Sequence, residues 1–138
     1  MAETIRQMEH YSATVANKAG EGARVLAALR AAGVNLIALW GYPRGTGKAR
    51  LEFVPENGAA FVAAAKAAKL KLSKKQIAFH VEGDERPGAG ADLLAKLAAA
   101  NVNVGALQAV CAGEGRYGAV IFVAQAAVGK AAKALGAS

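Results

Sequence analysis

Two short segments of the chain combine glycine with polar side chains immediately before a helical pattern. They are Asn17-Lys18-Ala19-Gly20 and Glu85-Arg86-Pro87-Gly88. A glycine turn that leads into a helix leaves backbone N–H groups without acceptors at the positive end of the helix dipole, which suits a carboxylate. Asn17 and Asn35 each offer a donor and an acceptor group. These residue types indicate a site for a small polar molecule.

The two segments differ in charge. In the second occurrence of the pattern, Glu85 takes the place of Asn17 and Asn103 takes the place of Asn35. A carboxylate there favours an ammonium group and disfavours a ligand carboxylate, so we expect the first segment to bind. Asparagine and glycine at turns and helix ends also serve purely structural roles, and we interpret Asn101 as a helix cap.

Other residues that could support chemistry lack the partners they would need. The stretch 44–48 resembles a P-loop, but Tyr42 and Ala49 replace its required glycine and hydroxyl residue. His10 and His80 are single histidines without further ligands at metal spacing. Cys111 has no neighbouring histidine and is predicted to be a buried strand residue. We therefore expect a protein that is not an enzyme and has no cofactor or metal.

The composition limits the class of protein. The chain has 138 residues, 17 Lys and Arg against 10 Asp and Glu, and 54% hydrophobic residues. This is too apolar for a disordered chain and suits one ordinary domain or two very small ones. Apolar runs fall short of the roughly 18 to 20 residues that span a bilayer. With a single cysteine and no apolar signal core at the N-terminus, we expect a soluble cytoplasmic protein.

The chain contains an internal repeat. A shift of 68 positions aligns the two halves without a gap from about residue 13 to the middle sixties. The matches that composition does not explain include Gly20 with Gly88, Leu26 with Leu94, Leu29 with Leu97, Val34 with Val102, and Asn35 with Asn103. We therefore predict two domains, 1–72 and 73–138.

Each copy repeats the same order of local patterns: strand, helix, strand, strand, helix. The patterns lie at 10–16, 23–32, 34–42, 48–54 and 61–65, and again at 76–82, 93–100, 102–111, 116–123 and 128–135. The first helix is predicted to end at Gly33 and its counterpart at Asn101. The first copy closes with a short strand at 70–72. The second copy stops after its last helix, so its fourth strand is missing or lent by another segment.

This order predicts an α+β fold made of two ferredoxin-like βαββαβ units, each with an antiparallel sheet and helices on one face. The segment 17–20, the helix after it and Gly33-Val34-Asn35-Leu36 resemble the signature of ACT domains. The segment 85–88 with 101–104 resembles it again, in register. Two residues depart from the signature: Ala19 replaces the usual proline, and Glu85 stands where asparagine or aspartate is usual.

The resemblance to a tandem ACT-domain protein implies a regulatory module. ACT domains pair side by side, as in a homodimer, and bind amino acids or similar small metabolites in the interface to regulate an enzyme or a gene. By this resemblance the ligand-binding residues are Asn17, Lys18, Ala19, Gly20, Asn35, Leu36, Glu85, Arg86, Pro87, Gly88 and Asn103. Pairing within the chain and pairing between chains both fit the sequence.

One predicted strand is apolar on both faces. In 34–42, Leu36, Ala38, Trp40 and Tyr42 share one face of the strand. Because one face of a half-covered sheet is normally polar, we expect a second domain or subunit to cover it, with Trp40 and Tyr42 as interface anchors. Ordinary burial in the core is the alternative.

Two other functions fit parts of the sequence. The net charge of +7 and the fold also suit an RNA-recognition module, and 116–122 resembles its RNP1 motif. That stretch lacks the glycine after its basic residue and has Ala119 in place of a stacking aromatic, which argues against nucleic acid. The basic residues cluster at Lys66, Lys69, Lys71, Lys74 and Lys75. This cluster is either a solvated face or a docking surface for an acidic partner protein or nucleic acid. A protein-docking subunit without a small ligand is therefore an alternative function.

Overall fold

The structure is a computed structural model that describes residues 3–138. Over that range the backbone forms strands and α-helices in the repeated order. They are β1 (Thr4–Ala16), α1 (Glu21–Ala31), β2 (Leu36–Pro43), β3 (Lys48–Pro55), α2 (Gly58–Ala67), β4 (Gln76–Asp84), α3 (Ala89–Ala99), β5 (Ala106–Gly113), β6 (Arg116–Phe122) and α4 (Val128–Leu135). A short 3-10 turn at Gln125–Ala127 precedes α4. Within residues 3–138 no helix is long and apolar enough to cross a membrane.

These elements form two ferredoxin-like units. The first unit is Glu9–Gln76, and the second unit joins residues 3–8 to Ile77–Ser138. The domains expected from the repeat are 1–72 and 73–138. The first structural unit therefore begins later and ends later than the first expected domain. The reason is that β1 begins six residues before its predicted start and contributes to both units.

The first unit forms its core between one face of its sheet and helices α1 and α2. β3 lies between β2 and β1, and both pairs are antiparallel. Tyr11 and Phe53 lie opposite each other on the covered face, where Val25 of α1 and Phe61 of α2 pack against them. Fully burying a side chain of this size contributes about 1.5 to 3 kcal/mol.

The second unit repeats this arrangement. β6 lies between β4 and β5, again with antiparallel pairs. Phe79 of β4 and Ile121 of β6 are opposite each other, and Leu93 and Leu97 of α3 pack against them. The leucines recur at helical spacing, which is the pattern that predicted this helix.

The fourth strand of each unit departs from a regular strand. In the first unit, the strand predicted at 70–72 is reduced to one bridge between Leu72 and Ala13. In the second unit, the N-terminal part of β1 supplies the fourth strand. Ile5 is buried in the second unit's core, and backbone hydrogen bonds join Gln7 N to Ser138 O (3.0 Å) and Ser138 N to Ile5 O (3.1 Å). The missing strand is therefore lent by a segment distant in sequence.

The ends of the first helix in each unit have the predicted conformation. Gly33 and Asn101 have φ of 74° and 58°, in the left-handed region. After Gly33, the Val34 amide donates to Leu29 O at 3.0 Å, which satisfies a carbonyl at the helix end. The interpretation of Asn101 as a cap residue is confirmed.

Candidate functional site

The first segment, 17–20, lies exposed between β1 and α1. The Asn17 amide donates to Gly47 O at 3.0 Å, so the segment lies beside the turn between β2 and β3. Gly20 precedes α1 with φ of 90°, and no side chain caps the amides of the first turn. Inside that turn Glu21 pairs with Arg24 at 2.8 Å. A hydrogen bond from Arg24 is the main reason that the pKa of Glu21 is lowered.

Asn35 lies at the other end of the same unit. Its Nδ2 donates to Glu56 Oε2 at 3.3 Å, and its carbonyl accepts from the Glu56 amide at 3.0 Å. Glu56 and the turn beside Asn17 lie at opposite ends of β3. The eight residues of this strand separate them by about 25 Å. The structure does not bring Asn17 and Asn35 together within one unit. A ligand that contacts both would need a second copy of the unit.

The second segment, 85–88, has the same placement in its unit. The Glu85 amide donates to Gly115 O at 2.7 Å, and Gly88 precedes α3 with φ of 83°. The guanidinium of Arg86 donates to Asp92 Oδ2 at 2.6 Å. Asn103 is exposed and precedes β5, so it lies at the opposite end of its unit, as Asn35 does.

A cavity of about 240 Å³ adjoins the second segment. It is lined by Glu85 and Arg86, by Ala89, Gly90, Leu93 and Leu94 of α3, by Leu107, Ala109, Val110 and Cys111 of β5, and by Tyr117 and Ala119 of β6. The walls are mainly apolar, and the charged groups lie at the end where α3 begins. A few polar groups in an apolar cleft are typical of small-molecule sites, and this volume is below the 300 to 1,000 Å³ of drug-sized pockets.

Cys111 is exposed, so the prediction that it is a buried strand residue is wrong. The reason is its position: β5 is the edge strand of the second unit, and all eight of its residues are exposed. Desolvation at the cavity wall, followed by the charge of Glu85, raises the pKa of the Cys111 thiol. The thiol is therefore neutral at pH 7 and adds an uncharged group to the cavity.

Tyr117 lies in the core of the second unit, and its hydroxyl group reaches a charged residue. Its hydroxyl donates to Glu3, and its ring is buried among the core residues. Burial, followed by the hydrogen bond to Glu3, raises the pKa of Tyr117. Tyr117 is also one of the two aromatic residues of the RNP1-like stretch, and a ring packed in the core cannot stack on a base.

A β-bulge in β2 divides the predicted apolar face of that strand. The pairing register shifts between Leu36 and Ala38. Leu36 therefore packs against the helix-covered core. Trp40 lies on the opposite face, where its ring stacks on His10 with centroids 6.2 Å apart. The prediction that Leu36 and Trp40 share a face is wrong, because sequence alternation does not reveal a bulge.

The face that carries Trp40 is polar, contrary to the prediction of an apolar face. Glu52 is 6% exposed, and His10 Nε2 lies 2.7 Å from its Oε1. The Tyr42 hydroxyl and Arg50 Nε donate to Glu52 Oε2 at 2.6 and 3.1 Å. Burial alone would raise the pKa of Glu52, but hydrogen bonds from His10 and Tyr42 and the charge of Arg50 lower it to about 2. The role of Trp40 and Tyr42 as interface anchors stays a prediction.

The described residues contain no group of three or more His, Cys, Asp or Glu side chains that could hold a metal ion. His10 is engaged with Glu52. His80 lies 3.9 Å from Glu82, and burial is the main reason that the pKa of its imidazole is lowered.

Comparison with known proteins finds similarity in structure. No protein-family model matches the chain, and no curated protein matches it in sequence. A protein from Bacteroides thetaiotaomicron matches 96% of this chain and 88% of its own with a TM-score of 0.82 and 19% identity. The ligand-free regulatory subunit of aspartate kinase from Thermus thermophilus matches 98% of this chain and 93% of its own, with a TM-score of 0.65 and 15% identity.

A third structure is a larger protein. Aspartate kinase from Clostridium acetobutylicum, described as an allosteric enzyme, matches 95% of this chain with 33% of its own (TM-score 0.58, 14% identity). These comparisons confirm the predicted fold, two ACT-like ferredoxin units in tandem, and the resemblance to ACT-domain regulatory proteins as a resemblance of fold.

Proposed function

We propose that the protein is a non-catalytic regulatory module that binds a small amino acid or a close relative. The observation that carries this proposal is the cavity in the second unit, with charged groups at one end and apolar walls at the other. The regulatory role is supported by the fold shared with the regulatory subunit of aspartate kinase from Thermus thermophilus. The regulated partner would be an enzyme or another regulator.

The lining of the cavity suits a zwitterion with a short apolar side chain. Glu85 can hold an ammonium group, and the Gly90 amide in the first turn of α3 can donate to a carboxylate. Leu93 and Val110 supply the apolar wall. This supports the second segment as the binding site, whereas charge alone favoured the first. Asn17, Lys18, Ala19 and Gly20 stay candidates for a second, weaker site.

The cavity is bordered by an edge strand that a second copy of the chain can cover. Val110 on β5 is 67% exposed, and Leu107 on the same strand is also exposed. An apolar edge strand left open is a template for pairing with another chain. We therefore expect a homodimer in which β5 pairs with β5 of a second copy and the ligand lies at that interface. A ligand that binds the paired state more tightly shifts the population toward it, which is the physical basis of regulation.

Isothermal titration calorimetry tests the proposal with matched variants. Glu85→Gln removes the proposed ammonium ligand, and we expect amino-acid binding to weaken about tenfold, as loss of a hydrogen bond to a charged group does. Glu114→Gln, an exposed carboxylate of the same unit outside the cavity lining, is the control and should bind as wild type does. Asn17→Ala should also bind normally if the second segment is the site.

Two results would point elsewhere. Equal binding by Glu85→Gln and wild type would contradict the assignment of the site to the second segment. If wild type binds no amino acid but remains a dimer, the protein is a docking module without a ligand.

A further inference from the structure

A second cavity, of about 360 Å³, lies in the first unit beside the sheet face that carries the Glu52 network. Side chains alternate along β1, so Tyr11 and Ala13 pack in the helix-covered core while Ser12 and Thr14 lie on the other face. Arg50 of β3 is directly opposite Thr14. This cavity is distinct from the one in the second unit, and its function is independent of the proposed amino-acid site.

Two hydrogen bonds position the Arg50 guanidinium and leave some of its N–H groups available. Its Nη2 donates to Ser12 Oγ at 2.8 Å and its Nε to Glu52 at 3.1 Å. A guanidinium has five N–H groups, so among the described residues three of them have no acceptor. The side chain is 31% exposed. Arg50 therefore presents a positioned, partly buried cation to the cavity.

The rest of the lining comes from the basic segment, residues 69–75, which follows α2 and contains four lysines. The Ser73 amide donates to Ser12 O at 2.8 Å, and the Ser12 amide donates to Ser73 Oγ at 3.0 Å. These bonds, with the bridge between Leu72 and Ala13, fix the segment against β1. Lys71 precedes this anchor, lines the cavity and forms no ion pair with any residue in 3–138.

The hydroxyl of Ser12 is also poorly satisfied. Its distance to Ser73 Oγ is 3.4 Å, longer than the 2.5 to 3.0 Å of an ordinary O–H···O hydrogen bond. Ser12 is 2% exposed, so this donor is positioned by the fold. A better acceptor in the cavity would gain this hydrogen bond without ordering a flexible side chain.

We propose that this cavity binds the phosphate group of a small molecule. It offers a fixed guanidinium, an ammonium and hydroxyl groups, and no carboxylate is among the described residues that line it. This donor set matches the several oxygens and the double charge of a phosphate. The neighbouring carboxylate of Glu52 is already bound by His10 and Tyr42. Other lysines of the basic segment add attraction for an anion.

Amide NMR titration with inorganic phosphate at constant ionic strength tests the proposal. We expect saturable shifts of the Ser12 and Ser73 amides, with glycerol 3-phosphate as a phosphate monoester and acetate as a carboxylate for comparison. Tighter binding of the ester identifies a phosphorylated metabolite, and equal binding identifies free phosphate. Tighter binding of acetate would overturn the assignment to phosphate.

Two variants separate a site from general attraction. Lys71→Ala should weaken phosphate binding about tenfold. Lys75→Ala removes the same charge from the same segment outside the cavity and should change binding less than twofold. Lys71 is exposed and unpaired in the described chain, so its variant keeps the fold. Equal losses in both variants, or no saturable shift at Ser12 and Ser73 in wild type, would refute the proposed site.

Discussion

Replacement of Glu52 by glutamine tests the buried network of the first unit. The pKa of Glu52 is about 2 in the folded protein against an ordinary value of 4.5. Because the folded value is the lower one, the ionised carboxylate stabilises the fold above pH 4.5, and this stabilisation is lost as the pH falls toward 2. The difference corresponds to about 3 kcal/mol. That is a large part of the roughly 5 to 15 kcal/mol by which a domain is stable.

Urea unfolding between pH 2 and pH 7 measures this contribution. We expect Glu52→Gln to be about 3 to 5 kcal/mol less stable than wild type at pH 7, because Arg50 and His10 lose a buried partner. The difference in free energy of unfolding between wild type and Glu52→Gln should decrease by about 3 kcal/mol as the pH falls from 4.5 to 2. Glu56→Gln, which alters an exposed carboxylate at the end of β3, should follow the wild-type curve. A constant gap between Glu52→Gln and wild type across this pH range would refute the reasoning.

Three further changes test the fold and the assembly. Gly33→Ala should lower the free energy of unfolding in urea by about 1 to 2 kcal/mol, because φ of 74° strains alanine even though no atom lies within 4 Å of the new Cβ. An unchanged free energy of unfolding would contradict this conformation. Leu97→Ala should cost about 2 to 5 kcal/mol in the same assay because Leu97 is fully buried, and a loss below 1 kcal/mol would contradict its place in the core. Val110→Lys should convert the proposed dimer to a monomer in analytical ultracentrifugation at unchanged helix content, and a dimer that persists would argue against the proposed pairing through β5.

The repeated helices and strands could be predicted because their signals are local. Leucines at helical spacing, such as Leu93 and Leu97, indicate a buried helix face in any context. Gly33 and Asn101 mark helix ends because few other residues accept the left-handed conformation. These features need no knowledge of distant contacts, and the structure confirms them.

The strand that completes the second unit could not be assigned from local signals. Ile5 is buried in a cluster whose other buried members, such as Phe79 and Ile121, lie more than 70 positions away in sequence. Hydrophobic pattern alone does not state which segment supplies the fourth strand of the second unit.

The sites depend even more on distant pairing. His10 and Glu52 are 42 positions apart and meet only through the register of β1 and β3. Cys111 has the sequence context of a buried residue, and its exposure follows from the edge position of β5. The polar side chains at alternate positions of β1, His10 and Ser12, are the one local signal that could have indicated a polar face on that strand.

A thermal-unfolding screen of the whole chain against the twenty amino acids, at fixed protein concentration and millimolar ligand, tests the central claim most directly. A ligand that binds only the folded state raises the midpoint, by roughly 10 °C when its concentration is 100 times Kd. We predict such an increase for one or a few amino acids, reduced in Glu85→Gln and retained in Glu114→Gln. No increase with any amino acid, for a folded protein, would contradict the proposal that this module senses one.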